Sequence, residues 1–170
     1  IALGVNQITD GITDFIKRLH SMGLIVNITI NERYLTEYGC DRLLKLMPYV
    51  FGLGISYRSL QGCFSLPDWI SDYRNTVIHV INGIDSFDDV IYLSVKYRKL
   101  LILGEKDFGF NTGKVNLNTP SHNEWKSSVM MLTEIFDVVS FDNLGLQQLD
   151  IRGKISDRKS TRLNSSHRLY

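Results

Sequence analysis

The 170-residue chain carries nineteen Lys and Arg against eighteen Asp and Glu, and 44% of its residues are hydrophobic. That is enough apolar material for one sizeable core, while a formal charge of +1 supplies no broad field to hold a nucleic-acid backbone or an anionic membrane surface. The longest apolar runs, such as Leu100 to Leu103, fall far short of the roughly 20 residues that a bilayer span needs.

The chain opens on Ile1-Ala2-Leu3 with no basic region before it, unlike a signal peptide, and reads as a fragment entered within a strand. Strand-like apolar runs then recur at Leu24 to Ile30, Val50 to Ser56, Val77 to Ile81, Leu100 to Leu103 and Val138 to Phe141. Helical stripes lie between most of them. The first is Ile12, Phe15, Ile16 and Leu19, capped at Thr9 or Asp10 and stopped at Gly23, where a left-handed residue is expected. A second helix carries Leu43, Leu44 and Met47 and ends at Pro48, and a shorter third starts around Pro67 and includes Trp69 and Ile70.

Ser86 with Asp89 approximates a capping box for a helix that buries Phe87, Val90, Ile91 and Val95. Trp125, Val129, Leu132 and Phe136 form the clearest stripe, capped at Ser121 or Asn123. Cys40, just before a helix, and Cys63, in a loop, are too few and too far apart for a disulfide framework or a zinc site. They point to a reducing, cytoplasmic compartment. After Ser156 the composition turns polar and basic, and the run 157–170 resembles a translated sequencing adaptor, so a single domain is expected over 1–156 with a disordered, artefactual tail.

Val-, Ile- and Leu-rich strands separated by helices imply a parallel sheet covered by helices, either doubly wound or a (βα) barrel. In both, ligands bind where the carboxyl ends of the strands meet the following helix N-termini. That rim holds Gly4, Asn6 and Gln7; Asn31, Glu32 and Arg33; Ser56, Tyr57 and Arg58; Asn82 and Asp85; Glu105, Lys106 and Asp107; and Asp142 with Asn143. The opposite ends, such as Ser21-Met22-Gly23, offer little chemistry. No phosphate loop and no dinucleotide fingerprint is present. Gly52 and Gly54 within a strand suggest close packing of a helix or ligand on bare backbone, and His79 points to the face opposite Ile78. The pairs Asp88-Asp89 and Asp137, Asp142 read as a helix start and strand flanks.

Taken in order, Ile1-Ala2-Leu3-Gly4, Gly23 to Asn31, Gly52 to Tyr57 and Ile78 to Ile84 resemble consecutive strands of a radical S-adenosylmethionine (radical SAM) barrel. Leu100 to Gly109 and Val138 to Leu144 are similar to the closing strands of a bacterial and phage-associated subgroup. The resemblance implies a partial (βα)6 TIM-like barrel, truncated at its N-terminus. The family's methionine-binding Gly-Gly-Glu-Pro segment would align with Gly4-Val5-Asn6-Gln7, where only the first glycine is kept, leaving backbone near Gly4, aided by Asn6, for the methionine ammonium. Ser56 would face the ribose hydroxyls, Ile81, Asn82 and Gly83 the adenine, and backbone at Leu103 and Gly104 the adenine edge.

The family's three cluster-binding cysteines are absent from the chain, so the [4Fe-4S] ligands are expected in sequence before Ile1, and the fragment alone is expected to be inactive. An intact enzyme of this kind cleaves S-adenosylmethionine to a 5′-deoxyadenosyl radical, with an electron donor such as flavodoxin or ferredoxin and a small-molecule or peptide substrate. Two alternatives stand beside it. One is a cofactor-independent (βα) barrel lyase or isomerase with Lys106, Glu105 and His79 as candidate base or Schiff-base residues. The other is a non-catalytic α/β domain that binds a small ligand on the same rim.

Overall fold

A computed structural model describes residues 1–107 and 115–154; the loop residues Phe108 and Gly109 and the tail 157–170 lie outside them. It contains one six-stranded sheet with the strands in chain order, β1 (Ala2–Val5), β2 (Asn27–Asn31), β3 (Gly52–Ser56), β4 (Thr76–Ile81), β5 (Lys99–Leu103) and β6 (Val138–Phe141). The sheet is all-parallel. A doubly wound sheet needs a point where the strand order reverses, and a strictly sequential order has none, so that alternative falls. Among the described residues no helix is long and apolar enough to cross a membrane.

The chain divides into two compact units between Ile78 and His79, inside β4. In the first unit, helix α1 (Asp10–Ser21) starts where Thr9 accepts a hydrogen bond from the Ile12 amide. It ends with Gly23 at φ +77°, and the Leu24 amide reaches back to the Leu19 carbonyl. This left-handed exit uses up Leu24 to Val26, which is why β2 begins at Asn27 rather than at Leu24. Ile16 and Leu19 are buried, but Phe15 is 48% exposed and does not join the core. Helix α2 (Glu37–Leu46) is capped by Thr36 and runs on into a 3₁₀ turn (Met47–Tyr49) that contains Pro48. Its buried face is Cys40, Leu43 and Leu46, whereas Leu44 is 51% exposed, so the expected pairing of Leu43 with Leu44 is wrong by one position.

Cys40 therefore lies inside α2, and Cys63 lies inside α3 (Leu60–Ser65), a short helix capped by Ser59, rather than before a helix and in a loop. Both thiols are buried and neither forms a disulfide. Helix α4 (Asp68–Asp72) follows Pro67 and buries Ile70. Register places Leu3 beside Ile28 and Ile28 beside Leu53, then Val5, Ile30 and Ile55, on one face. Ile28, Ile30, Leu53 and Ile55 are almost fully buried, each contributing about 2 to 3 kcal/mol by removal from water. The other face of this unit carries Gly4, Thr29 and Gly54 in one row and Asn31 with Ser56 in the next. Gly52 is explained locally, since a Cβ there would strike the Asn27 side chain.

In the second unit, Ser86 caps α5 (Phe87–Leu93) by accepting from the Asp89 amide, with Asp88 and Asp89 in the first turn as expected. Its core face is Phe87, Val90 and Leu93; Val95 lies past the helix end and is 78% exposed. The stripe Trp125, Val129, Leu132 and Phe136 is buried throughout. It spans α6 (Pro120–Ser128), a 3₁₀ turn (Val129–Met131) and α7 (Leu132–Ile135) rather than one helix. The cap of α6 is Thr119, with Pro120 at the first helical position, not Ser121 or Asn123. Trp125 packs edge-on to Phe87 at 5.2 Å and donates its indole N–H to the Asp85 carbonyl at 2.9 Å. Leu100 and Ile102 pair in register with Val139 and Phe141, and helix α8 (Asn143–Gln148) follows β6 directly, capped by Asp142.

Candidate functional site

Each unit presents polar side chains just past the carboxyl ends of its strands, and the two sets are built differently. In the first unit Glu32 follows β2 and is only 4% exposed. Its Oε1 accepts from the Ser59 hydroxyl at 3.2 Å and its Oε2 from the Arg33 amide at 2.7 Å. The bare Cα of Gly62 packs against the same side chain, where a Cβ would collide with it. Glu32 thus ties the turn after β2 to the start of α3. Both its oxygens are used.

Of the predicted ligand-binding residues in this unit, Gly4 and Asn6 are exposed, with open space above Gly4, and Ser56 is half-buried at the end of β3. They are not brought together: β2 separates β1 from β3 and Ser56 lies two residues beyond the partner of Gly4 in register, so Gly4 and Ser56 stand about 12 Å apart across the sheet. Cys40 donates weakly to the Leu35 carbonyl at 3.5 Å, and burial pushes its thiol above the usual range, the setting of an inert structural cysteine.

The second unit assembles a buried cluster around Asn82, Glu105, His122 and Gln148. The turn after β4 is closed by the Ile84 and Asp85 amides on the Ile81 carbonyl, and the Asp85 carboxylate accepts the Ile81 amide at 2.6 Å. Gly83 takes φ +74° there. This geometry turns Asn82 inward, where it is 0% exposed. Its side-chain amide donates to the Leu103 carbonyl at 3.0 Å and to Gln148 Oε1 at 3.1 Å. Gln148 also accepts the Glu105 amide at 2.9 Å and donates to the Glu105 carbonyl at 2.8 Å, pinning the chain after β5. Glu105 is 9% exposed, and its Oε2 lies 3.2 Å from His122 Nε2.

His122 is held from its other side by Thr119, whose hydroxyl lies 2.8 Å from Nδ1. A Cβ on Gly83 would overlap the His122 ring. Asn82 Oδ1 and His122 Nε2 are buried polar atoms without a hydrogen-bond partner.

Asn82 lies against Leu103, with Gly83 next to it in the turn, and the polar groups of Asn82 and Leu103 are largely engaged by one another. The Leu103 carbonyl receives both the backbone and side-chain N–H of Asn82. The Gly104 amide donates to Asp142 Oδ1 at 2.9 Å, and its bare Cα makes room for Leu144 and Gly145 at the start of α8. Ile81 is 37% exposed at the end of β4. His79 is half-buried on the face opposite Ile78 and Val80, and loss of solvent pushes its imidazole down to about 4. Lys106 and Asp107 are exposed.

His122 and Gln148 escaped the sequence reading because they lie far along the chain from Glu105. The usable signal was Thr119-Pro120, which fixes the helix start and so places His122 in its first turn. Compared with protein-family models and with curated proteins, the chain matches none.

Proposed function

We propose that the chain is core sequence of a radical SAM enzyme, which binds S-adenosylmethionine at the carboxyl ends of its strands and, completed by a [4Fe-4S] cluster, generates a 5′-deoxyadenosyl radical. The observation that carries this reading is the strictly sequential all-parallel sheet, the order that curls into a barrel of this kind. The small and polar row Gly4, Thr29 and Gly54, with Asn31 and Ser56 beyond it, supports the reading by leaving one face of the first unit lined for a ligand rather than for helices. Gly4 backbone and Asn6 would meet the methionine end, and the Ser56 hydroxyl the ribose.

The cluster does not fit the residues described. Among them no group of three or more His, Cys, Asp or Glu side chains could hold a metal, and Cys40 and Cys63 are buried in separate helices. Its cysteines would come from sequence outside these residues, and no step is derived through it. The product of the whole gene, reconstituted anaerobically with iron and sulfide, should show cluster absorbance and release 5′-deoxyadenosine. A gene product without a closely spaced cysteine triad, or one that binds no cluster, overturns the reading. In the competent protein Ser56→Ala should raise the S-adenosylmethionine dissociation constant about fivefold, the size of one hydrogen bond of roughly 1 kcal/mol.

A second reading, a cofactor-independent barrel lyase or isomerase, is favoured by one feature only, the buried carboxylate of Glu105 beside His122. Turnover of a carbonyl substrate without iron or S-adenosylmethionine would select it.

A further inference from the structure

Glu105 Oε2 and His122 Nε2 are 3.2 Å apart, a distance that allows a hydrogen bond, yet Nε2 has no hydrogen-bond partner. The fault is therefore one of direction: the carboxylate oxygen lies off the axis along which Nε2 would donate or accept. Nor does Gly83 take that axis. The position of its missing Cβ is nearly equidistant from Nε2, Cδ2 and Cε1, which places it over the ring face, whereas a point on the Nε2 axis is farther from both carbons.

A nitrogen and an oxygen that sit side by side without bonding to each other have the separation of two ligands on one ion. For metal–ligand bonds of about 2.1 Å, neighbouring ligands lie roughly 3.0 Å apart at right angles and 3.4 Å apart at the tetrahedral angle. The observed 3.2 Å falls between these.

The surroundings are those of such a site. Thr119 holds His122 Nδ1 at 2.8 Å, which is how an imidazole ligand is usually oriented with its other nitrogen free. Gln148 fixes the backbone of Glu105 and, at the same Oε1, the side-chain amide of Asn82. Asn82 Oδ1 remains as a buried, unpaired oxygen in the same cluster. We propose that Glu105 and His122 form a binding site for one divalent transition-metal ion, zinc by preference of the N and O donors, with water in the remaining positions. The site lies wholly within the second unit and does not rest on the radical SAM reading.

The test is titration of the metal-free protein with Co2+, followed by its visible bands, and with Zn2+, followed by calorimetry and by the fluorescence of Trp125, one turn beyond His122 in α6. One equivalent should bind, with Co2+ bands of low coordination number. Glu105→Gln and His122→Gln should each weaken binding at least tenfold, and His79→Gln should leave it unchanged. No saturable binding, binding that survives in either of the first two variants, or equal loss in His79→Gln overturns the proposal. If His122→Gln fails to fold by circular dichroism, Glu105→Gln, which changes no volume, decides alone.

Discussion

Two glutamates stand one or two residues past the end of a parallel strand, both with little exposure, and they are spent in opposite ways. Glu32 in the first unit has a donor on each carboxylate oxygen, Ser59 on one and the Arg33 amide on the other. Glu105 in the second unit is tied down through its backbone by Gln148, while its carboxylate receives no hydrogen bond from the described residues and faces an imidazole nitrogen that is equally unpaired. A buried carboxylate costs free energy unless its lone pairs are met. Burial alone therefore does not single out a functional group. What separates the two sites is which atoms the fold leaves unused.

The strongest way to break the comparison is through the glycine beside each unit's turn. Gly83 and Gly23 both have positive φ, at +74° and +77°. Nothing lies within reach of a Cβ on Gly23, whereas a Cβ on Gly83 would run into His122. Gly83→Ala should therefore add overpacking to backbone strain and cost roughly 2 to 5 kcal/mol, against about 1 to 2 kcal/mol for Gly23→Ala. Denaturant unfolding of both variants reads the difference. Equal losses would show that His122 yields freely and that the cluster is not rigid.

The strand-borne histidine at the start of the second unit gives a smaller effect, and the first unit has no strand histidine to match it. His79 titrates at about 4 in the folded protein against 6.5 without the fold, because desolvation disfavours its charged form. The unfolded chain then binds more protons between those values. Stability from this group is complete above pH 6.5 and is lost as the pH falls through that value toward 4. The loss should reach about 2 kcal/mol at pH 5. His79→Gln should flatten that part of the profile, and an unchanged slope would assign it to other groups.

The strands were readable because each is a short run of Val, Ile and Leu, whereas their sequential order was expected only from the barrel that the resemblance implies, since hydrophobic pattern is blind to which strands pair. The stripe from Trp125 to Phe136 was readable because every fourth or third residue is large and apolar. Leu44 misled for the same reason in reverse, since an apolar residue adjacent to the stripe looks like part of it and only the start of the helix, fixed by Thr36, sets the phase, whereas Val95 misled because the stripe does not show that the helix stops at Leu93. Asn82 and Glu105 were named from their place after a strand, and Gly83 from the resemblance. Their partner His122 was not, because its approach to Glu105 is made by two separate elements, β5 and α6, whose docking no local rule encodes.

The finest test sets the two glutamates against each other with one change, Glu to Gln, which removes a charge and no volume. At Glu32 the new amide can keep its oxygen on the Arg33 amide by turning its NH2 toward the Ser59 hydroxyl, which can accept it alongside the Gly62 amide but then loses the acceptor for its own proton. The cost should be about 1 to 2 kcal/mol. At Glu105 no donor among the described residues loses its acceptor, and a buried charge is relieved, so in chelator-treated protein the change should stay within about 0.5 kcal/mol of zero. Thermal or denaturant unfolding without metal compares them directly. If Glu105→Gln costs as much as Glu32→Gln, the Glu105 and His122 side chains stabilise the fold as a simple ion pair, and the distinction between a structural and an available carboxylate fails. If the order holds and added Zn2+ raises the stability of the parent protein but not of Glu105→Gln, the unused atoms of the second unit are the ones that bind.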